Sequence, residues 1–354
     1  MPSLRIRKIT FPHMGRYDAA FEAVMRAMGH IPVTPDPINR ATIETGVKYA
    51  PEFICFPCKV NIGDELNGIA RGADTVVMFS SNGQCRYRYY AAVQRKILQD
   101  LGKKIDFYIF TPQDWLKKFR ELSNHNFLVL LVKFIGAWRK GKAIELVEQL
   151  GYYYRPRAVS PEAVDKIQQR CWKMIGQTEL RNYFFYRRFK RCLMEEFKHI
   201  QTKRNFKPLR IGIIGEIYSV IEPFVNQNIE EVLGRQGVEV TRYLNLSHFV
   251  KEFLPWRKKR EAKMTRPYVG YVVGGHGRTS VMHLLEYAEQ KFDGVIHLAV
   301  FGCMPEVTVR PILHKIAQQK NLPFLSLSLD EHSGQAGIQT RVEAFVDLIR
   351  GKKK

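Results

Sequence analysis

Three things are scarce in this chain of 354 residues: acidic side chains, cysteines and uninterrupted apolar runs. Only 34 Asp and Glu stand against 56 Lys and Arg, and the resulting net charge of +22 makes an anionic partner or substrate the expectation without choosing among them. Six cysteines are too few and too scattered for a secreted disulfide scaffold, which points to a cytoplasmic protein with reduced thiols. The most apolar run, Phe127–Trp138, is interrupted by Lys133. It is too short for a bilayer, which takes about 20 residues, so no membrane span is expected and the run reads as a buried helix. Met1–Thr10 carries Arg5, Arg7 and Lys8 with no apolar stretch after them, so no secretory leader is expected.

What is present is globular: the hydrophobic fraction of 45% is enough for a buried core. Arg5–Phe11, Thr75–Phe79 and Asp106–Phe110 read as strands, and Tyr17–Met28, Val60–Ala70 and Tyr89–Leu101 as helices between them. Strand–helix alternation of this kind implies parallel pairing. From Trp115 to Arg204 strands give way to helix formers. Lys117–Arg204 holds 20 basic against 8 acidic residues, more than half of the chain's charge excess in a quarter of its length. Alternation then resumes, with strands at Arg210–Gly215, Val238–Tyr243, Tyr268–Val273, Gly294–Val300 and Pro323–Leu329. Helices are expected at Pro223–Gln236, Ser280–Lys291, Thr308–Gln319 and Gln339–Arg350. The expected architecture is α/β: two doubly wound parallel-sheet domains, residues 1–114 and 206–354, with a basic helical insertion at 115–205.

The cysteines carry more information by place than by number. Cys55 and Cys58 form Cys-Phe-Pro-Cys at the start of a helix. Cys85 lies in the loop after Thr75–Phe79, and Cys303 follows Gly294–Val300. Loops at the carboxyl ends of parallel strands line the crevice where such folds bind ligands. Helix N-termini, together with Arg86, Arg88 and Lys59, are expected to favour thiolates and an anionic iron–sulfur cluster. Gly83 and Gly302 allow close backbone approach beside Cys85 and Cys303. A structural zinc site is the competing reading, but its ligands usually come as two compact pairs, whereas these four span nearly 250 residues. Cys171 and Cys192 read as small buried hydrophobes within helices.

Several segments resemble one family. These are Thr42–Gly46, Tyr49–Phe53, Cys55-Phe56-Pro57 with Lys59, Gly83–Tyr87, Gly212–Tyr218, Gly274–Arg278, Cys303–Glu306, and Asp330–Gly334 with Gln339–Arg341. They are similar to the activase-related proteins of the 2-hydroxyacyl-CoA dehydratase and benzoyl-CoA reductase superfamily. The resemblance covers both α/β segments and is weakest over the basic helices. It implies an oxygen-sensitive [4Fe-4S] cluster between two α/β domains, or in some relatives a double-cubane [8Fe-9S] cluster. It also implies electrons delivered by an ATP-dependent activase of actin-like fold, and a second copy or related subunit beside the chain. In dehydratase members one electron passes to a 2-hydroxyacyl-CoA thioester and water is expelled. Cys55, Cys85 and Cys303 match the family's cluster cysteines. Cys58 departs from the pattern: three thiolates leave one iron open, and four close the cluster for electron transfer alone.

Other residues invite roles of their own. Gly274, Gly275, His276, Gly277 and Arg278 open a helix and are candidates for holding an anion such as a CoA phosphate, although the Lys-Ser/Thr pair of a P-loop is missing. Glu331 and His332 are candidates for proton transfer, with Asp330 a capping residue. Glu306 reads as a helix N-terminal carboxylate. Tyr183–Arg191 interleaves aromatics with Arg and Lys, which can meet nucleic acid. An amphipathic helix with aromatic core positions and a solvated basic face is the favoured reading, and docking of an acidic redox partner comes before nucleic acid. The alternative to an iron–sulfur protein is a zinc-stapled binding protein whose basic helices dock nucleic acid or an acidic partner.

Overall fold

The structure, a computed structural model, describes residues 5–80, 84–111, 113–251 and 254–352; Gly83 lies outside them. β1 (Lys8–Thr10) leads through α1 (Asp18–Ala27) to β2 (Ile31–Pro32), then to α2 (Arg40–Tyr49) and α3 (Phe56–Ala70). β3 (Thr75–Phe79), α4 (Tyr87–Asp100) and β4 (Asp106–Phe110) follow. The next four elements are helices: α5 (Trp115–Leu122), α6 (Phe127–Arg157), α7 (Pro161–Gln177) and α8 (Tyr183–Lys198). β5 (Leu209–Gly215), α9 (Ile217–Ile221), α10 (Ile229–Arg235) and β6 (Val238–Arg242) come next, then α11 (Leu246–Lys251), α12 (Pro255–Thr265) and α13 (Gly277–Glu289). β7 (Gly294–Val300), α14 (Met304–Gln319), β8 (Phe324–Leu329) and α15 (Gln335–Gly351) close the chain.

The strands form two four-stranded sheets in the orders β2-β1-β3-β4 and β6-β5-β7-β8, parallel throughout. Both sheets thus repeat one winding, in which the first strand of each pairs with its second and third. Composition explains the placement. β7 is apolar almost throughout and buried at every position, as a central parallel strand must be. The edge strand β6 alternates buried and half-buried positions. One face of the second sheet packs under α15 through Val342, Phe345 and Val346, and the other under α13 and α14 through Leu284, Val309 and Leu313.

Several expectations are corrected. Tyr268–Val273 is not a strand but the loop from α12 to α13, in which Val269 and Val273 are buried while Tyr271 and Val272 are exposed. That spacing of four fixes two anchors and leaves no side-to-side alternation to pair. Pro223–Gln236 is broken, because Gln227 and Asn228 adopt left-handed backbone (φ 59° and 54°) and start α10 only at Ile229. Phe127–Trp138 forms the start of α6 but is not buried as a whole: Val132 is 57% exposed, and Leu131, Ile135 and Trp138 also face solvent. In α8, Phe189, Leu193 and Phe197 enter the core at a spacing of four, whereas Tyr183, Phe184 and Phe185 are exposed.

The first sheet's helices meet at a close crossing. α2 begins with a capping box, in which Asn39 Oδ1 accepts from Thr42 N (3.1 Å) while Asn39 N donates to Thr42 Oγ1 (3.3 Å). A Cβ at Gly46 would stand 1.8 Å from the Lys59 carbonyl oxygen, and one at Gly63 would stand 2.1 Å from that of Thr42. The two helices therefore touch backbone to backbone. α3 is buried on every side through Glu65, including Lys59, Asn61 and Asp64.

The long helix α6 is fastened to the second sheet by a buried ion network. Arg242 Nη2 on β6 meets Glu148 of α6 at 2.7 Å, and its Nε meets Glu230 of α10 at 3.1 Å. Tyr17 donates to the same Glu148 (3.2 Å). The loop after β1 places His13 among carboxylates. Its Nδ1 lies 2.8 Å from Asp18 Oδ2, its Nε2 lies 3.0 Å from the Asp36 carbonyl, and its backbone N–H donates to Asp64 (3.0 Å).

Two outcomes follow. Gly63→Ala forces a methyl group into the Thr42 carbonyl and should lower the unfolding free energy by about 1–3 kcal/mol or more. Urea denaturation reads this, and an unchanged midpoint would mean the crossing is not tight. The second outcome concerns pH. Burial alone would lower the His13 pKa, but Asp18, Asp64 and the Asp36 carbonyl outweigh it and raise it from 6.5 to about 10. A group raised on folding contributes its stability fully below its unfolded pKa and loses it as pH rises through the folded one. Thermal stability should therefore fall between about pH 7 and 10, and His13→Asn should flatten that slope; an equal slope in the variant would remove His13 as the cause.

Candidate metal centre

In each sheet the winding reverses between its two central strands, so the loops leaving those strands diverge and open a crevice at their carboxyl ends. Cys85 follows β3 and Cys303 follows β7, equivalent strands of the two sheets. The third cysteine of this edge arrives differently. Cys55 is the N-cap of α3, just as Cys303 is the N-cap of α14, and both helices open with Cys-x-Pro, the proline at the second helical position. A proline there loses no helical hydrogen bond and fixes the turn. Cys85 immediately precedes Arg86, the N-cap of α4. Three cysteines thus stand at the starts of three long helices.

Glycines let these three starts meet. A Cβ on Gly302, whose φ is +77°, would lie 3.2 Å from Cys55 Cα. One on Gly274 would lie 2.4 Å from Cys85 N, and one on Gly275 would lie 3.7 Å from Cys85 Cβ. Arg86 donates to the Gly302 carbonyl, tying the Cys85 loop to the Cys303 loop. Cys55 N donates to the Tyr90 hydroxyl of α4 (3.3 Å). Cys55 is 8% and Cys303 9% exposed, while Cys85 is half-buried. Cys58 is buried completely, in a cluster with Ile54, Cys55, Ile62 and Tyr90. No disulfide joins any of the six cysteines. Among the described residues, no group of three or more His, Cys, Asp or Glu is arranged to hold a metal ion.

The electrostatics differ from the expectation of low-pKa thiols. Burial first, then the Glu216 carboxylate, push the Cys55 thiol up to about 12. Burial, Glu306 and Glu216 raise Cys303, and burial, Cys55 and Glu65 raise Cys58. A charge on Cys85 would raise Cys55 further, and one on Cys55 would raise Cys303, so the three sulfurs share one environment. Lys59 adds no uncompensated charge, since it is paired with Glu331 across the seam between the sheets. Desolvation therefore outweighs the helix ends, and Cys55, Cys58 and Cys303 are held as neutral thiols until a cation displaces the protons.

The remaining candidates are placed as follows. Gly275 and Gly277 pack against Pro305, His276 is the N-cap of α13, and Arg278 donates to Thr265 Oγ1 (2.9 Å) at the end of α12. The glycines of this turn serve close approach to the cysteine loops. Glu331 is engaged by Lys59, and its carbonyl accepts from Arg40 (2.9 Å). His332 is exposed, its backbone N–H capped by Asp330 Oδ1 (2.9 Å). Glu306 sits in the first turn of α14, as expected, and is buried: His297 Nε2 lies 2.9 Å away and Ser280 donates to it. Cys171 is buried in the helical core, but Cys192 is exposed, because α8 turns Phe189 and Leu193 inward on either side of it.

Glu216 was missed as a site residue. It follows β5 at the point where the second sheet's winding reverses, and it stands close enough to raise both Cys55 and Cys303. Its carboxylate accepts from Tyr218 N (3.0 Å) and Ser219 N (2.9 Å), while burial raises its pKa. Its post-strand position was the signal that could have found it.

In the metal-free folded chain, a thiol-alkylating reagent at pH 8 should modify Cys192 first. Cys55, Cys58 and Cys303 should react at least about tenfold more slowly. Peptide mapping over time measures this, and fast labelling of Cys303 would contradict its burial as a neutral thiol.

No curated protein matches the chain. The model of the 2-hydroxyglutaryl-CoA dehydratase D-component family matches residues 278–349, from the start of α13 nearly to the end of α15, a stretch that includes Cys303 but not the other site cysteines. That match supports membership of the chain in the superfamily of 2-hydroxyacyl-CoA dehydratases and benzoyl-CoA reductases.

Proposed function

We propose that this chain is an iron–sulfur component of a dehydratase or related reductase system, receiving low-potential electrons from an ATP-dependent activase of actin-like fold. The observation that carries the reading is the meeting of Cys55, Cys85 and Cys303, each at the start of a different helix, at the edge shared by both sheets. A [4Fe-4S] cluster bound there would supply one-electron transfer at low potential.

The chain's own residues fit such a group in three respects. Three helices begin at these cysteines, and the positive end of a helix dipole lowers the cost of accumulating negative charge. The glycines at 274, 275 and 302 let the three cysteine loops approach closely. Ile54, Tyr90 and Pro305 wall the thiols from water, which suits an oxygen-sensitive group. Among the described residues no three donors are arranged around one metal ion, as a zinc site would need with each thiolate about 2.3 Å from the metal; ligands of a cluster sit on separate irons and stand further apart. Cys58, enclosed among apolar side chains on the α4 side of α3, is the weakest candidate ligand. The reading we favour is therefore three thiolates with Cys58 behind them, which leaves a position open to substrate or to a fourth donor.

Within this arrangement Arg86 holds the Cys85 loop against Gly302, and the Lys59–Glu331 pair holds α3 against the second sheet. Both position the cysteines and neither touches the reacting atoms. The turn at Gly275, His276, Gly277 and Arg278 remains a proposed contact for the anionic part of a substrate.

The test is anaerobic purification with iron and acid-labile sulfide counts, followed by EPR of the dithionite-reduced protein. About four irons per chain and a reduced [4Fe-4S] signal are expected. Cys55→Ala, Cys85→Ala and Cys303→Ala should each lose most of the iron, while Cys58→Ala should keep it. Iron loss in Cys58→Ala would make the cluster four-thiolate, and stoichiometric zinc would overturn the redox reading.

A further inference from the structure

The basic helices have no part in the cysteine site, yet they carry the most unusual surface of the molecule. Trp115 and Leu116 of α5, Val132 and Trp138 of α6, and Tyr183 and Phe184 of α8 are all at least 39% exposed, Phe184 as much as 78%. They form one face. α5 and α6 share an open cleft of about 350 Å³ that also reaches α1, lined almost wholly by apolar side chains such as Val24, Phe119 and Phe134. α6 meets the start of α8 where a Cβ on Gly136 would touch the Arg181 side chain (3.3 Å) and where Arg139 lies 5.6 Å from the Tyr183 ring.

Apolar surface of this extent marks an interaction site, and its rim indicates the partner. Residues 115–122, 127–139 and 179–191 hold ten Lys and Arg against two acids, Glu121 and Glu179. Two such faces meeting one another would oppose cation to cation, which disfavours a second copy. The apolar residues come from three helices, the cleft between them is open, and the cations sit on long, flexible side chains. A fluid anionic surface satisfies all of this without a rigid match of shapes: headgroups meet the Lys and Arg rim while acyl chains take up Trp, Phe and the cleft. No described helix is long and apolar enough to cross a membrane, so the contact is one of lying on the surface.

We propose that the face formed by α5, the first half of α6 and the start of α8 seats this protein on the surface of an anionic phospholipid bilayer. The probe is vesicle co-sedimentation of the full chain, comparing phosphatidylcholine vesicles with ones that also contain phosphatidylglycerol. Binding should be at least about tenfold stronger to the anionic vesicles and should largely vanish near 1 M salt, where the screening length is about 3 Å. The double variant Val132→Glu/Phe184→Glu should bind at least about tenfold more weakly. Lys258→Glu, on the basic α12 that packs on α13, makes the same change in net charge and should bind like the parent. Phe184→Glu alone, at the most exposed of these side chains, separates a binding defect from a folding defect, with circular dichroism and melting checked for each protein. Absence of vesicle binding overturns the proposal. So does equal weakening by Lys258→Glu, which would reduce the effect to net charge. A chain that ignores vesicles but sediments as a dimer dissociated by the double variant would reassign the face to a second copy.

Discussion

The crossing of α2 and α3 at Gly46 and Gly63 is the contact on which the cysteine site depends. With carbonyl oxygens where Cβ atoms would otherwise stand, the two helices approach as closely as backbones can, and α3 is driven into the seam between the sheets. Its N-cap, Cys55, then lies against Gly302, which follows β7 of the opposite sheet. A looser crossing would withdraw Cys55 from Cys85 and Cys303, whose places are fixed independently by β3 and β7. The site is therefore assembled from two strand ends, which any doubly wound sheet supplies, and one helix start, which only this packing supplies.

Shared winding explains why the strand ends agree. Both sheets reverse between their first and third strands, so the crevices of the two sheets are built alike and can face one another. Cys85 and Cys303 occupy equivalent places in them. Glu216 and the His13 loop occupy the other equivalent pair, after β5 and β1. The two pairs have diverged in chemistry. One carries thiols, and the other carries a carboxylate near those thiols and an imidazole bound among carboxylates.

How far this was legible varies with the kind of signal. β3, β4 and β7 stand out as apolar runs of strand length, and their residues match the expected ranges to the letter. β2 has two residues and α2 is polar with a weak pattern, so neither announced itself. Tyr268–Val273 has strand composition, but composition cannot say that four sheet positions are already filled. The places of Cys85 and Cys303 after strands could be read directly. Their approach to Cys55 could not, since it depends on glycine contacts between segments some 190 to 250 residues apart. The direction of the thiol shifts also reversed, because sequence shows helix ends and nearby cations but not the burial that outweighs them.

Burial also changes the meaning of the net charge. Asp64, Glu65, Glu148, Glu222 and Glu306 are among the acids withdrawn into the interior. Glu65 has no hydrogen-bond partner for either oxygen, and burial raises the pKa of Asp64, Glu65, Glu148 and Glu222. A buried carboxyl whose ionisation is disfavoured offsets an outside lysine less. Of the basic residues, Lys59, Lys140, Arg155 and Arg242 are buried, and most of the others remain at the surface. The positive excess therefore lies mainly at the surface, and more than half of it falls in Lys117–Arg204. Such a surface repels its own copies and draws anions over the range of the screening length. Acids kept in the interior thereby set the sign of what the exterior can meet.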